Sequence, residues 1–495
     1  MRTMTETAKK KRGMPSSFTI LLALLAIVAV VTVIVSGTSG GAVTAARLSD
    51  FCTAPIKGFA DALPVCLFVM ILGGFLGMMT ETGALDNGIA VLVQKLKGNE
   101  IMLIPVLMLI FSLGGTTYGM CEETVPFYAL LAATMMAAGF DPMVGAATVL
   151  LGAGCGCLGS TVNPFAVGAA VDALTGVDIA VNQSIIIGLG AVLWLVTTVM
   201  SIVFVMNYAK KVKADKGSTI LSMQELKDAE EAHGKAASEV HKEVKLTGRQ
   251  KGVLIAFAFT FVVMIVGFIP LADLNEGVAN FFDAGAVYDA DGNAVVQGWS
   301  ALITGLPIGQ WYFDEASTWF FLMAILIGII GGLSEKQIVN TFITGAADMM
   351  SVVLVIALAR GISVLMASTG LDVFVLDAAA NALAGLSGVI FAPMSFLVYF
   401  GLSFLIPSTS GMATVSMPIM GPLAVKLGFS PEVMVMIFSA AIGVVNLFTP
   451  TSGAIMGGLA LAKIEWTTWL KFALKLIVAL SVVCAVILTV ACVLL

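Results

Sequence analysis

Charge is what this sequence has least of. Asp, Glu, Lys and Arg together make up 11% of its 495 residues, while 59% are hydrophobic; a soluble globular chain carries about a quarter charged residues. So few charges cannot cover a folded surface that faces water, which excludes a soluble enzyme. Histidine is scarcer still, with only His233 and His241, both in the most polar stretch. No H-E-x-x-H, no G-x-S-x-G and no His within an apolar run is present, so the patterns of a membrane-embedded hydrolase are missing and no enzyme is expected. Lys and Arg gather in two places without interleaved aromatics, and the net charge is −6, so no nucleic-acid partner is expected. The seven cysteines (Cys52, Cys66, Cys121, Cys155, Cys157, Cys484 and Cys492) are odd in number and irregular in spacing, so no disulfide framework follows. Cys155 and Cys157 form a C-x-C with no His nearby, and small, polarizable packing residues account for them.

What is present is a series of apolar runs of membrane-spanning length, with 51 glycines suited to close helix contact in lipid. The runs cover 18–36, 63–80, 143–171, 184–206, 252–270, 318–333, 349–368, 431–461 and 469–495. The first follows Lys9-Lys10-Lys11-Arg12 and is too long for the apolar part of a signal peptide, so it reads as the first span behind a cytoplasmic tail, residues 1–17. Two further apolar regions, 101–140 and 391–429, have polar, Gly-rich or Pro-rich centres. Each is too long for one span, with halves too short for two, and a re-entrant helical hairpin fits both.

Residues 207–251 are dense in Lys, Glu and Asp and read as a solvated helix and linker. Residues 252–270 are a connecting transmembrane helix. Residues 271–316 hold seven acidic residues and no Lys or Arg, which places them outside, with the linker and N-terminus in the cytoplasm. Arg47, Lys57 and Lys426 are exceptions to this charge count. Nine spans then satisfy it, and the C-terminus ends outside. Within the insert, 286–299 resembles a hairpin turning at Asp289-Ala290-Asp291-Gly292-Asn293. A calcium loop starting at Asp289 would end on Ser300, where a Glu is needed, so the turn is preferred.

The two halves, 18–206 and 317–495, resemble each other. Thr82-Gly83-Ala84-Leu85-Asp86 parallels Thr369-Gly370-Leu371-Asp372, and each precedes a helical stretch, ending at Gly98 or Gly385, and a hairpin. Gly139-Phe140-Asp141-Pro142 and Gly428-Phe429-Ser430-Pro431 then open long helices, with Asp141 and Ser430 as N-caps before Pro. Both helices are interrupted, at Gly159-Ser160-Thr161-Val162-Asn163-Pro164 and at Asn446-Leu447-Phe448-Thr449-Pro450-Thr451-Ser452-Gly453. By the charge count the first hairpin enters from the cytoplasm and the second from outside. Paired interruptions in two inverted halves point to a transport site at the midplane.

The chemistry-bearing residues sit at these interruptions. The first tip carries Gly115, Thr116 and Thr117; the second carries Pro407, Ser408, Thr409, Ser410 and Gly411, whose hydroxyls and half-helix N-terminus suit a carboxylate. Back-bonding to helix carbonyls is the competing role for these hydroxyls. Glu122 and Glu123 are the sharpest signal, because an intramembrane carboxylate is costly unless it faces water, a cation or a proton. They fit a proton, a cation or a substrate ammonium, or else cytoplasmic water. Asn163 and Asn446, with Thr161, Thr449 and Thr451, offer hard oxygens for sodium, while Asn also caps helices. Thr451 and Ser452 extend the second break toward the substrate. Arg360 lies mid-span and either holds a carboxylate, pairs with a Glu or braces carbonyls. Asp348 marks a span end at the interface.

The blocks 114–127 and 159–165, with the shorter 407–411 and 446–453, resemble the YfcC branch of the DcuC anaerobic carrier family, within the ion transporter superfamily. That resemblance implies a homodimer whose transport domain moves as an elevator, with both hairpin tips and both broken helices enclosing substrate and sodium. On this chain those roles fall to Thr116, Thr117, Asn163, Ser408, Thr409, Ser410, Asn446, Thr449 and Thr451. Neither tip has the Ser-Asn-Thr signature of the superfamily's dicarboxylate carriers. Glu122 and Glu123 stand beside the first tip instead, which suits basic amino acids. The expectation is therefore an all-α polytopic protein of the bacterial inner membrane with two inverted repeats, each with a re-entrant hairpin and a broken helix (143–171 and 431–461). It carries a small carboxylate-bearing metabolite, preferably an amino acid such as arginine, ornithine or lysine, with a four-carbon dicarboxylate as alternative and a channel third. No cofactor or metal beyond a coupling sodium or proton is expected.

Overall fold

The computed structural model describes residues 17–85, 87–88, 91, 99–239, 245–274, 276–289, 294–406 and 408–495. The expectations on the basic tail, Asp86, Gly98, His241, the turn at 290–293 and Pro407 lie outside the described residues.

The first half contains α1 (Ser17–Ser36), α2 (Leu48–Asp61), α3 (Leu63–Glu81), α4 (Leu103–Tyr118), α5 (Val125–Ala137), α6 (Pro142–Leu158), α7 (Ala169–Thr175) and α8 (Gln183–Ala214). The middle holds α9 (Met223–Glu239), α10 (Gly248–Phe268), α11 (Leu271–Leu274), α12 (Glu276–Phe282) and an antiparallel ribbon, β1 (Val287–Tyr288) with β2 (Ala294–Val296). The second half contains α13 (Phe313–Gly331), α14 (Glu335–Asp348), α15 (Met350–Thr369), α16 (Leu371–Leu383), α17 (Gly388–Leu405), α18 (Thr409–Lys426), α19 (Pro431–Val445), α20 (Gly453–Leu461) and α21 (Trp466–Leu494).

Eight helices among the described residues are long and apolar enough to cross a membrane. Seven coincide with expected spans. The eighth, Glu100–Tyr118, lies in the region 101–140 where the first hairpin is expected. At 19 residues it is longer than the half-span expected there, because the turn Glu100–Met102 extends α4; the return arm α5 has only 13 residues. The expected helices 143–171 and 431–461 are each interrupted, at 159–163 and 446–452. Asp141 accepts from the Val144 amide at 3.1 Å and Ser430 from the Val433 amide at 3.4 Å, so both open behind a capped proline turn. Besides the short α11 and α12 of the 271–316 insert, the sequence does not point to α2 and α14. Both have 14 residues and carry charges, so they fall below any spanning criterion.

α6 and α19 are apolar all round and buried almost all round, as expected for helices wrapped by protein rather than by lipid. They pack on each other, with Leu447 against Gly154 and Leu158 against Gly443. Around this pair lie α4, α5, α8, α17, α18 and α21. A second group, α1–α3, α10 and α13–α15, joins the first through α15 on α20 and α3 on α5. Close helix crossings use small residues. A Cβ on Gly58 of α2 would meet the backbone of Gly361 on α15, and one on Gly115 of α4 would meet the backbone of Ala153 and Gly156 on α6. The lipid-facing edge of α21 is a stripe of exposed Val478, Val482, Val486, Val490 and Val493.

An interrupted helix frees amides and carbonyls that lipid cannot satisfy. At the first break they are claimed by the tip of α4. The Thr116 hydroxyl donates to the Gly159 carbonyl at 2.7 Å, and the Thr116 carbonyl accepts from the Thr161 amide at 2.9 Å and the Thr161 hydroxyl at 3.0 Å. At the second break two indoles do this work. Trp469 Nε1 donates to the Leu447 carbonyl at 2.9 Å and Trp466 Nε1 to the Phe448 carbonyl at 2.7 Å.

The 207–239 segment is docked rather than freely solvated. Tyr208 and Thr219 donate to Asp141 at 2.6 and 2.7 Å, Glu225 accepts from the Glu465 amide at 2.9 Å, and His233 Nε2 lies 3.1 Å from the Leu461 carbonyl. α9 rests on α5.

Two outcomes follow. Trp469→Phe leaves a buried carbonyl without a donor and should cost about 1–3 kcal/mol, read as a lower melting temperature in detergent. Trp194→Phe, whose indole nitrogen is buried without a partner among the described residues, should cost far less. Burial holds the His233 pKa below its usual value of 6.5, with Lys463 adding to the effect against the Leu461 bond. The unfolded or undocked state therefore binds the proton more readily, and the His233 contribution to docking is full above pH 6.5 and is lost as pH falls below it. The amide protection of α9, corrected for the intrinsic pH dependence of exchange, should fall on acidification, and His233→Gln should flatten that dependence.

Candidate functional site

The tips and breaks meet at one cavity of about 300 Å³, a size at the low end for small-molecule pockets. Its first wall comes from hairpin one. Gly119 ends α4 in the left-handed region at φ 79°, a conformation other residues adopt only at a cost. Its open face also admits the Asn163 side chain, which a Cβ there would strike. The chain then runs through Met120 and Cys121 into the short turn Glu122–Thr124, and both glutamates line the cavity. Glu123 is 1% exposed, and its Oε2 accepts from the Cys121 amide at 3.0 Å. Among the described residues no Lys, Arg or His lies within 4 Å of either carboxylate.

Helix starts supply another part of the wall, and there amides point outward and the dipole is positive. α18 begins at Ser408, which accepts from the Gly411 amide at 3.1 Å, and Ser408, Thr409 and Ser410 line the cavity. α20 begins behind Ser452, and no side chain caps it; Gly453, Ala454 and Ile455 line the same space. A third start, at Pro164, is already capped, because Asn163 Oδ1 accepts from the Phe165 and Ala166 amides at 2.9 and 3.3 Å. Asn446 lines the cavity with its side-chain amide unbonded among the described residues.

Nine of the expected residues are brought together here: Glu122, Glu123, Asn163, Ser408, Thr409, Ser410, Asn446, Thr451 and Ser452. Six lie outside the lining, each with a local role. Gly115 is the crossing point on α6. Thr116 and Thr161 clasp the first break to the tip. Thr117 back-bonds to the Leu113 carbonyl at 2.6 Å. Thr449 bonds the Thr451 hydroxyl at 2.7 Å, and Gly411 supplies the amide that Ser408 caps. Of the five oxygens expected for sodium, Asn163, Asn446 and Thr451 face the cavity, and the Asn163 oxygen is engaged as a cap.

The residue missed altogether is Asp61, at the end of α2. Its Oδ2 lies 3.5 Å from Nε of Arg360, and both line the cavity. Phe313, Tyr128 and Cys157 complete the lining beside Cys121. Three carboxylates thus share the space with one guanidinium, and that guanidinium already has a partner.

A polytopic helical chain whose interrupted segments enclose a small polar cavity is a membrane transporter. This one belongs to the DcuC family, described as C4-dicarboxylate anaerobic carrier, whose model matches residues 41–493. It is 28% identical over 445 residues to a protein of Haemophilus influenzae named "Uncharacterized protein", covering 90% of this chain and 78% of that one. It is 27% identical over 440 residues to the Escherichia coli K12 protein named "Putative basic amino acid antiporter YfcC", covering 87% and 77%. Among solved structures it is similar to the Alcanivorax borkumensis YdaH transporter (TM-score 0.45, 15% identity, 96% and 98% covered) and to Neisseria gonorrhoeae MtrF (TM-score 0.42, 16% identity, 98% and 96% covered). Likeness at that level carries no inference for this chain.

The excess of acid can be tested directly on the native thiols of the cavity. In a Cys52→Ser background, a cationic methanethiosulfonate should modify Cys121 and Cys157 on the order of tenfold faster than an anionic one, after normalisation to free thiol. Equal rates would mean that the cavity carries no negative potential.

Proposed function

We propose that this chain is an ion-coupled exchanger of a small amino acid, preferably a basic one such as arginine, ornithine or lysine. The observation that carries the reading is that one cavity holds both kinds of group: Glu122 and Glu123, with no cationic partner within 4 Å among the described residues, and the uncapped start of α20 with the first residues of α18. A zwitterion with a cationic side chain satisfies both, its carboxylate on the helix starts and its cationic group on the acids. Glu122 or Glu123 alternatively binds the coupling proton, and sodium takes the Asn446 and Thr451 oxygens. In this reading the halves 18–206 and 317–495 are inverted repeats of a homodimeric elevator in the bacterial inner membrane, with 1–17 and 207–251 in the cytoplasm and 271–316 and the C-terminus outside.

The alternative is a four-carbon dicarboxylate, which the family description and the presence of Arg360 in the lining favour. It would place two anionic groups in a cavity already rich in acid. A channel would need a continuous polar path, and the polar groups are instead concentrated at the interruptions.

Counterflow in liposomes with arginine, ornithine, lysine, succinate and fumarate separates the readings. A charged partner contributes about 1.5–3 kcal/mol, so Glu122→Gln or Glu123→Gln should raise KM for the active substrate roughly 10- to 100-fold. Unchanged transport in both variants would remove the acids from the mechanism. Ionic currents without counterflow would establish a channel.

A further inference from the structure

Arg360 is the cavity's one guanidinium among the described residues, and the way it is held is unusual for a structural brace. Its contact with Asp61 is a single Nε–Oδ2 approach of 3.5 Å, not a two-point fork. The Asp61 side chain is 49% exposed and that of Arg360 is 28% exposed. Exposed, singly bonded ion pairs are weak and readily exchanged. Both residues stand on closely packed backbone, because α2 and α15 touch at Gly58 and Gly361. The pair is therefore mounted on a firm base while its charged ends remain free to move. The same cavity is lined by Glu122 and Glu123, which have no cation within 4 Å among the described residues.

We propose that Arg360 is the specificity-determining residue of this cavity, an internal cation parked on Asp61 that competes with the substrate's cationic group for Glu122 and Glu123. Asp61 sets how much of the guanidinium is available. With Arg360 held by Asp61, the two glutamates are open to an incoming cation. With Asp61 neutralised, the guanidinium is released toward the glutamates and occupies their field. The pair acts as a threshold that admits only solutes cationic enough to outbid it. This inference rests on the reading that the cavity holds substrate, and it deepens that reading by assigning the residue that selects charge.

The test is a double-mutant cycle on the full-length chain in liposomes, with Arg360→Gln, Asp61→Asn and the two combined. Two probes are used, arginine in counterflow and the cationic and anionic methanethiosulfonates on Cys121. For arginine, Arg360→Gln should lower KM and Asp61→Asn should raise it, each on the order of tenfold and with little change in kcat. The ratio of cationic to anionic labelling of Cys121 should move with it, up in the first variant and down in the second. Because Asp61 acts chiefly through Arg360, the double variant should stay on the Arg360→Gln side of the wild-type value, short of the single variant only by the direct field of the Asp61 carboxylate. If the two single effects simply add, so that the double variant returns to the wild-type value, Asp61 does not control Arg360 and the proposal fails. It fails equally if both single variants shift KM or labelling in the same direction together with a lower melting temperature, which is the behaviour of a brace. If the labelling follows the expected pattern but no amino acid is exchanged, the substrate reading is overturned and the charge threshold stands.

Discussion

Everything in this molecule depends on closing the backbone at two places where a helix stops inside a hydrophobic environment. A freed carbonyl or amide there has no water to turn to. The chain answers with two different devices. At the first break, one threonine on the neighbouring tip serves as donor and acceptor at once, so hairpin one and the start of the Pro164 turn become a single piece. At the second, the indoles of Trp466 and Trp469 reach in from α21 and take two successive carbonyls. Because these groups are satisfied by protein, the remaining polar atoms of the breaks are left facing the cavity.

The cavity inherits its polarity from that division. Helix starts are electropositive by construction, and α18 and α20 present theirs without any formal charge. The acidic side needs real carboxylates, and it obtains them from a tip that Gly119 turns sharply enough to bring Glu122 and Glu123 inside. Neither feature alone identifies a solute; the two together offer partners for groups of both signs within one cavity.

Much of this was legible in the residues. The interrupted helices were visible because Pro, Gly, Asn and Ser cluster in otherwise unbroken apolar runs, and Asp141 and Ser430 showed where each helix opens. Glu122 and Glu123 stood out because acid is scarce elsewhere in the membrane part. What stayed hidden had weaker signals. α2 is short, contains Pro55 and carries Asp50, Lys57 and Asp61, so hydropathy passes over it, and with it the partner of Arg360. The hydroxyls of Thr116, Thr117 and Thr161 belong to the right motifs, but a motif does not say whether a hydroxyl points at a ligand or at a carbonyl one turn away. Asn163 was ambiguous between ligand and cap, and its oxygen serves as a cap. The indole donors had no local signal, since their acceptors lie 18 and 22 residues earlier in the chain.

The strap formed by residues 207–239 ties together parts that are far apart in sequence. It holds Asp141 at the opening of α6, lies on α5, and grips Leu461 and Glu465 at the junction of α20 and α21. These anchor points come from both halves of the chain and sit at the rims of both interrupted segments. The polar segment that follows the first half therefore also fastens the end of the second interrupted helix, so that groups far apart in sequence share one clasp.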